Sequence, residues 1–173
     1  LMLENSDAWV EGATLAAGDF DYFLYNGAEV NNIATTYGKV KVQDSHSLYE
    51  STWLTLHAVD DGDPAANVSV VIKNAKGDIV YQGVTDAEGK IKVLLTQYSI
   101  TSEGRDDGFN PYTIDAAFES GDESMELTLN QSYMDVTIEG EEEFDMGALL
   151  AVIGVLVIIL LIVAAVVVMR RRK

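Results

Sequence analysis

The sequence predicts an all-β ectodomain, a seven-stranded antiparallel β-sandwich preceded by short β-strands, followed by a single transmembrane α-helix. Three observations carry this. Between residues 49 and 139, seven short segments alternate apolar and polar residues with period two, as half-buried strands do. Turn signals rich in Asp, Asn and Gly separate them. Met146 to Met169 is a run of 24 residues without a charge, sixteen of them Val, Ile or Leu.

Residues 1–48 read as short strands broken by turns: Ala8–Val10, Phe20–Tyr25, Glu29–Ile33 and Lys39–Gln43. Asn26-Gly27 supplies a corner that tolerates positive φ. In Gly38 to Gln43, alternation puts Val40 and Val42 on one face and Lys39 and Lys41 on the other. Short strands with Gly or Asn corners are similar to the closing rungs of a parallel β-helix, although no repeat period is measurable. The alternative is that these strands belong to an ordinary β-sandwich.

The expected inward faces of residues 49–139 follow from alternation. They are Leu54, Leu56 and Ala58; Val68, Val70 and Ile72; Val80, Gln82 and Val84, less regularly; Ile91, Val93 and Leu95; Tyr112, Ile114, Ala116 and Phe118; Met125, Leu127 and Leu129; and Met134, Val136 and Ile138. Asp61-Gly62-Asp63-Pro64, Asn74 to Gly77, Asp86 to Gly89 and Gly121-Asp122 mark turns. Seven such strands in about ninety residues describe a two-sheet sandwich. In the turn from Thr85 to Gly89, Asp86 can cap backbone N–H groups and Gly89 can supply positive φ.

The stretch from Trp53 to Val93 resembles the carboxypeptidase regulatory-like domain, a transthyretin-like sandwich. The pieces are Asp60 to Pro64, the Val strand from Val68 to Ile72, the turn from Asn74 to Gly77, and Gly83-Val84-Thr85-Asp86-Ala87-Glu88-Gly89. Ala65-Ala66-Asn67 departs from that pattern. The resemblance covers about half the ectodomain; it implies a surface spacer or accessory module without catalytic activity.

A helix of 24 residues is about 36 Å long, enough to cross a bilayer core of about 30 Å with some tilt. Arg170, Arg171, Arg172 and Lys173 follow directly and read as the cytoplasmic side. The expected organisation is therefore a β-rich segment 1–48, the sandwich 49–139, an acidic linker 140–145, the span 146–169 and a basic tail 170–173. This places the chain in the plasma membrane as a single-pass protein, N-terminus outside. Gly147, Ala151 and Gly154 fall on one helix face, where small residues permit close helix packing and self-association, although Gly and Ala are common in spans.

The net charge is −17, and the tail contributes +4, which leaves −21 on the rest. Such a surface repels nucleic acid and excludes it as a partner. The chain has no cysteine, hence no disulfide and no lipidated cysteine. Together these point to a prokaryotic cell surface, archaeal in first place. Leu1 to Ser6 lacks the basic and apolar regions of a signal peptide, so a longer precursor is expected upstream.

Candidate chemistry is sparse. Asp60, Asp61 and Asp63, with Asp106 and Asp107, could form a weak Ca²⁺ site; turn chemistry alone also explains them. No other cofactor is expected. Asn67-Val68-Ser69 and Asn130-Gln131-Ser132 match the glycosylation acceptor pattern, with both asparagines on polar strand faces. His57 is expected outward and His46 in a polar turn; no nucleophile motif accompanies either. The expected function is the membrane-anchoring stalk of a larger surface protein of structural or adhesive type, with the bilayer, other surface proteins and surface glycans as partners. Two alternatives remain: the non-catalytic end of an extracellular hydrolase or lyase, and a ligand- or glycan-binding module using aromatics such as Tyr22, Tyr25 or Trp53.

Overall fold

The structure is a computed structural model and describes residues 1–4, 6–16, 19–43, 46–140 and Leu156. The chain divides into two compact units, Leu1–Glu141 and Glu142–Lys173. The expected span 146–169, its Gly147, Ala151 and Gly154, and the tail Arg170 to Lys173 lie outside the described residues, Leu156 excepted. Among the described residues no helix is long and apolar enough to cross a membrane.

The first unit is all-β and has two parts. In the first part the chain climbs in coils. Strands β1 (Met2–Glu4), β3 (Tyr22–Tyr25) and β5 (Val40–Val42) form one parallel sheet. Strands β2 (Asp7–Glu11), β4 (Glu29–Ile33) and the start of β6 (Ser47–Asp60) form a second parallel series. Each coil thus places one strand in each sheet. Met2 aligns with Phe23, a step of 21 residues, and Phe23 with Lys41, a step of 18. The unequal steps are why no sequence period is visible. Tyr22, Leu24, Ala28, Val30 and Leu48 fill the interior, with Val40 and Val42 packed against it. Asn26 (φ 56) and Gly27 (φ 89) make the corner between β3 and β4. Both residues take the left-handed conformation that Asn and Gly tolerate best.

The second part is a sandwich of two sheets. After β6 come β7 (Asp63–Pro64), β8 (Ser69–Lys73), β9 (Ile79–Val84), β10 (Lys90–Thr101), β11 (Gly104–Asp106), β12 (Tyr112–Ala117), β13 (Asp122–Leu127) and β14 (Tyr133–Glu139). One sheet has the antiparallel order β13-β12-β8-β9. The other is built on β6, with β10 antiparallel along one edge. The opposite edge of β6 is shared in tandem: Ser47–Glu50 pair with β4, and Trp53–Val59 pair with β14. All seven expected sandwich strands are present, but β14 lies parallel to β6. The expectation of a wholly antiparallel sandwich is corrected there, because β14 returns from the other sheet beside the first strand instead of following it through a hairpin. The hairpin from β6 to β7 turns on Asp61 (φ 51) and Gly62 (φ 83), positive at both positions as a two-residue type I′ loop requires.

Strand β6 runs unbroken across the expected division at residues 48 and 49, and one inward face serves both interiors. Leu48 belongs to the coil interior, and Leu54, Leu56 and Ala58 belong to the sandwich core. The inward assignments from alternation hold at Ile72, Ile91, Leu95, Ile114, Leu127 and Ile138, all buried. They fail in β9. Val80 and Val84 are exposed, and Tyr81 packs on the core instead. The register pairs Tyr81 with Ile72 and Gly83 with Val70, both inward, and an irregularity lies between Ile72 and Lys73. A slip of one residue exchanges the faces of a strand. Gly83 makes room for the phenol ring, since a Cβ there would stand 2.3 Å from the Tyr81 hydroxyl.

Candidate functional site

Two polar constellations lie where the coils meet the sandwich, one inside and one outside. The inner one separates the two apolar interiors. Glu50 and Thr52 share the inward face of β6 with Leu48 and Leu54. The half-buried Glu50 carboxylate accepts hydrogen bonds from Asn32 Nδ2 (2.7 Å) and the Tyr37 hydroxyl (3.1 Å). Asn32 Oδ1 accepts from the Tyr22 hydroxyl (2.6 Å), and the Tyr37 and Tyr98 hydroxyls are 3.2 Å apart. Asn32 and Tyr22 are fully buried, so each polar atom must find such a partner. Thr52 donates to Gln131 O (2.7 Å). Burial pushes the Glu50 carboxyl above the usual carboxylate range, against the opposing pull of Asn32 and Tyr37. Burial likewise raises the Tyr22 phenol to about 12.

A pH effect follows from Glu50. In the unfolded chain a glutamate titrates near 4.3. Between that value and its raised native value, only the native state holds the proton, so stability falls as pH rises. Below about 4.3 both states are protonated and the penalty vanishes. The wild type should therefore lose stability relative to Glu50→Gln as pH rises from about 4 to about 7. Melting curves of both proteins at the two pH values check this; a gap that widens toward acid would refute it.

The outer constellation sits on the solvent face of the β6 sheet. Trp9 on β2 and Tyr133 on β14 are each 50 % exposed, unusual for large rings held in regular strands. The Glu11 carboxylate fixes both, accepting from the Tyr133 hydroxyl (2.6 Å) through one oxygen and from Trp9 Nε1 (3.3 Å) through the other. Those bonds, Tyr133 first, hold the Glu11 carboxyl below the usual range. Trp53 is half-buried and aligned with Tyr133; its ring centroid lies 5.6 Å from that of Trp9 at a tilt of 41°. Lys92 Nζ lies 4.7 Å from the Trp53 centroid, within cation–π range. His57 and Asp135 continue this face, with Nε2 3.7 Å from Oδ1.

The residues singled out from sequence are scattered. Asp60 accepts from the Ser120 hydroxyl (3.1 Å), whereas Asp106 pairs with Lys76 (3.3 Å) and Asp107 with Arg105 (2.7 Å). Among the described residues no three His, Cys, Asp or Glu groups stand where they could hold a metal ion. Asp86 Oδ1 accepts from Glu88 N (3.0 Å) and Lys90 N (2.8 Å), and Gly89 has φ +72, which is the capped turn read from sequence. Asn67 and Asn130 are exposed, but both stand in loops beside strands, not on strand faces. His46 is buried, not set in an open polar turn, and its ring accepts the Gly27 N–H (2.9 Å to Nδ1). Tyr22 is interior and Tyr25 is tied to Glu4, so of the three named aromatics Trp53 alone joins the outer face. Trp9 and Tyr133 were missed. Trp9 lies in a segment read from sequence only as a strand, and Tyr133 is joined to it through Glu11, 122 residues away in the chain. A shallow cleft of about 370 Å³ on the other sheet is lined by Ser69, Val71, Asp115, Asp122 and Ser124 among others, and neither histidine borders it.

No family model matches the chain, and no curated protein matches it. Among solved structures it is similar to the Bacillus anthracis TIE protein, with 19 % identity over 60 % of this chain and 19 % of that one, at a TM-score of 0.40. It is similar to the shaft pilin SpaA from Lactobacillus rhamnosus GG, with 14 % identity over 52 % of this chain and 49 % of that one, also at 0.40. It is similar too to a 9R-lipoxygenase from Cyanothece, with 13 % identity over 57 % of this chain and 18 % of that one, at 0.36. The chain thus matches half or less of the length of each of these proteins. Likenesses this distant, spread over a pilin and an enzyme, carry no statement of activity. The class that the described residues define is an all-β unit in which parallel coils run into a two-sheet sandwich.

Proposed function

We propose that this chain is the anchoring stalk of a larger cell-surface protein of structural or adhesive type, with residues 1–145 outside and a single span at 146–169. The coils would be the last rungs of a β-helix, the sandwich a non-catalytic spacer of the carboxypeptidase regulatory-like kind, and the setting a prokaryotic plasma membrane. Calcium at the acidic loops has no structural part in this reading.

The observation that carries the reading is the parallel pairing of β14 with β6. The coils join β6 at Ser47–Glu50, whereas β14 ends at Glu139 beside Val59, and Gly140 N donates to Val59 O (2.9 Å). The chain therefore enters at one end of a 14-residue strand and leaves at the other, toward the acidic linker. A load between coils and membrane would pull β6 and β14 in opposite directions along their axes. The hydrogen bonds of seven aligned residue pairs would then resist together, in shear, whereas a hairpin would open one bond at a time. Such a clamp suits a spacer under tension.

The uncharged run followed by Arg170 to Lys173 supports this orientation. Protease added to intact cells is expected to remove the β unit and leave a short fragment containing the span. Protection in intact cells, with cleavage only after lysis, would overturn the orientation and with it the stalk.

A further inference from the structure

We propose that the outward face formed by Trp9, Trp53 and Tyr133 binds a neutral polysaccharide. This deepens the adhesive part of the reading above and rests on it. The face draws on four strands: β2, β6, β10 and β14. Its rings are fixed before any ligand arrives. Glu11 bonds both Trp9 and Tyr133, Trp9 leans on Trp53, and Lys92 covers Trp53. Rigid Trp and Tyr side chains offer large contact area at low entropic cost. Half of the surface of Trp9 and of Tyr133 is nevertheless left in water, where it gains nothing from burial.

The surroundings identify the chemistry of the occupant. Apart from Leu94, the outward neighbours nearest the rings along β6, β10 and β14 are polar: Thr55, His57, Lys90, Lys92, Asp135 and Thr137; Tyr49 and Val59 stand further along β6 in either direction. A protein partner would need a continuous apolar centre within an interface of about 1,200–2,000 Å². A small group of rings bordered by hydrogen-bonding groups instead matches a pyranose chain, whose C–H faces stack on rings while its hydroxyls meet carboxylate, ammonium and hydroxyl groups. Glu11, Lys92 and Asp135 place both signs of charge on the face, so it selects for no net ligand charge. The −21 carried outside the basic tail further disfavours a polyanion.

The test uses the full chain in a detergent without sugar head groups. Soluble glucan, mannan and galactan oligosaccharides are titrated in while tryptophan emission is followed, with alginate as the polyanionic comparison. At least one neutral chain is expected to give a saturable change. Trp9→Ala should weaken it several-fold, up to about tenfold, the scale of one lost ring contact. Tyr133→Phe, which keeps the ring and removes only the hydroxyl, should weaken it less. Melting curves show whether each variant is folded, and Tyr133→Phe serves if Trp9→Ala is not. Four outcomes would overturn the inference: no neutral chain binds; binding is unchanged in both variants; alginate binds more tightly; or the face instead mediates self-association that Trp9→Ala abolishes. None of these would touch the orientation, which the protease experiment reads separately.

Discussion

Replacing Ile114 with alanine is expected to destabilise the β unit by about 2–5 kcal/mol, the range for a buried aliphatic cut to a methyl group. Ile114 has no exposed surface and stands at the centre of β12, aligned with Ile72 on β8 and Met125 on β13. Its side chain faces the opposite sheet, within a core that includes Leu54, Leu56, Ile91 and Ile138. The loss combines transfer of three carbons back toward water with the cavity left behind. Strands held on both sides cannot collapse into that space, which favours the upper half of the range. Thr128, exposed after β13, provides the comparison: Thr128→Ala should stay within about 0.5 kcal/mol. Denaturant melts of the three proteins check this; equal midpoint shifts for the two variants would mean that the inward and outward faces are misassigned.

Gly89→Ala is expected to cost about as much, by a different route. Gly89 has φ +72, where an L-residue is disfavoured by about 1–2 kcal/mol. Its added Cβ would also stand 2.7 Å from Ala58 O and 2.9 Å from Ala65 N, both backbone atoms of the neighbouring strand and hairpin. Neither can swing aside as a side chain would, because Gly89 O accepts from Ala58 N (2.8 Å) and Ala65 N donates to Ala58 O (2.9 Å). Overpacking of this kind adds about 1–3 kcal/mol. Gly77 separates the two contributions. It has φ +85, but a Cβ there would meet nothing within 4 Å. Gly77→Ala should therefore show only the conformational cost of about 1–2 kcal/mol. If the two substitutions shift the midpoint equally, the close approach at Gly89 has no energetic weight.

The two kinds of position also mark how far the sequence reaches. Ile114, Leu127 and Ile72 were legible as core because alternation of period two is a local property that any strand buried on one face must show. The Asp86–Gly89 turn was legible for a similar reason: its cap and its positive φ both lie within a few residues. β9 was not legible. As an edge strand it carries apolar residues on both faces, and its register is set by β8 and by the space over Gly83.

The aromatic face was legible in neither way. Trp9 and Tyr133 are ordinary strand residues until the fold carries them together, and Glu11, which holds both, is two residues from Trp9 on β2 but 122 residues from Tyr133. The Glu50 network is similar: its members come from β3, β4, β6, β10 and the stretch before β5, and the sequence marks none of them as interior. The sequence by itself determined most of the strands, though not β1, β7 or β11, together with the corners, the all-β class, the acidic composition and the uncharged run with its basic tail, because each is written in nearest neighbours and composition. Only the tertiary structure decided that one strand, β6, serves two cores, that β14 lies parallel to it, and that tryptophans 44 residues apart in the chain share one face. Those are facts of pairing across long loops. The free energy that selects one pairing over another comes from surfaces that meet only when the whole unit has closed.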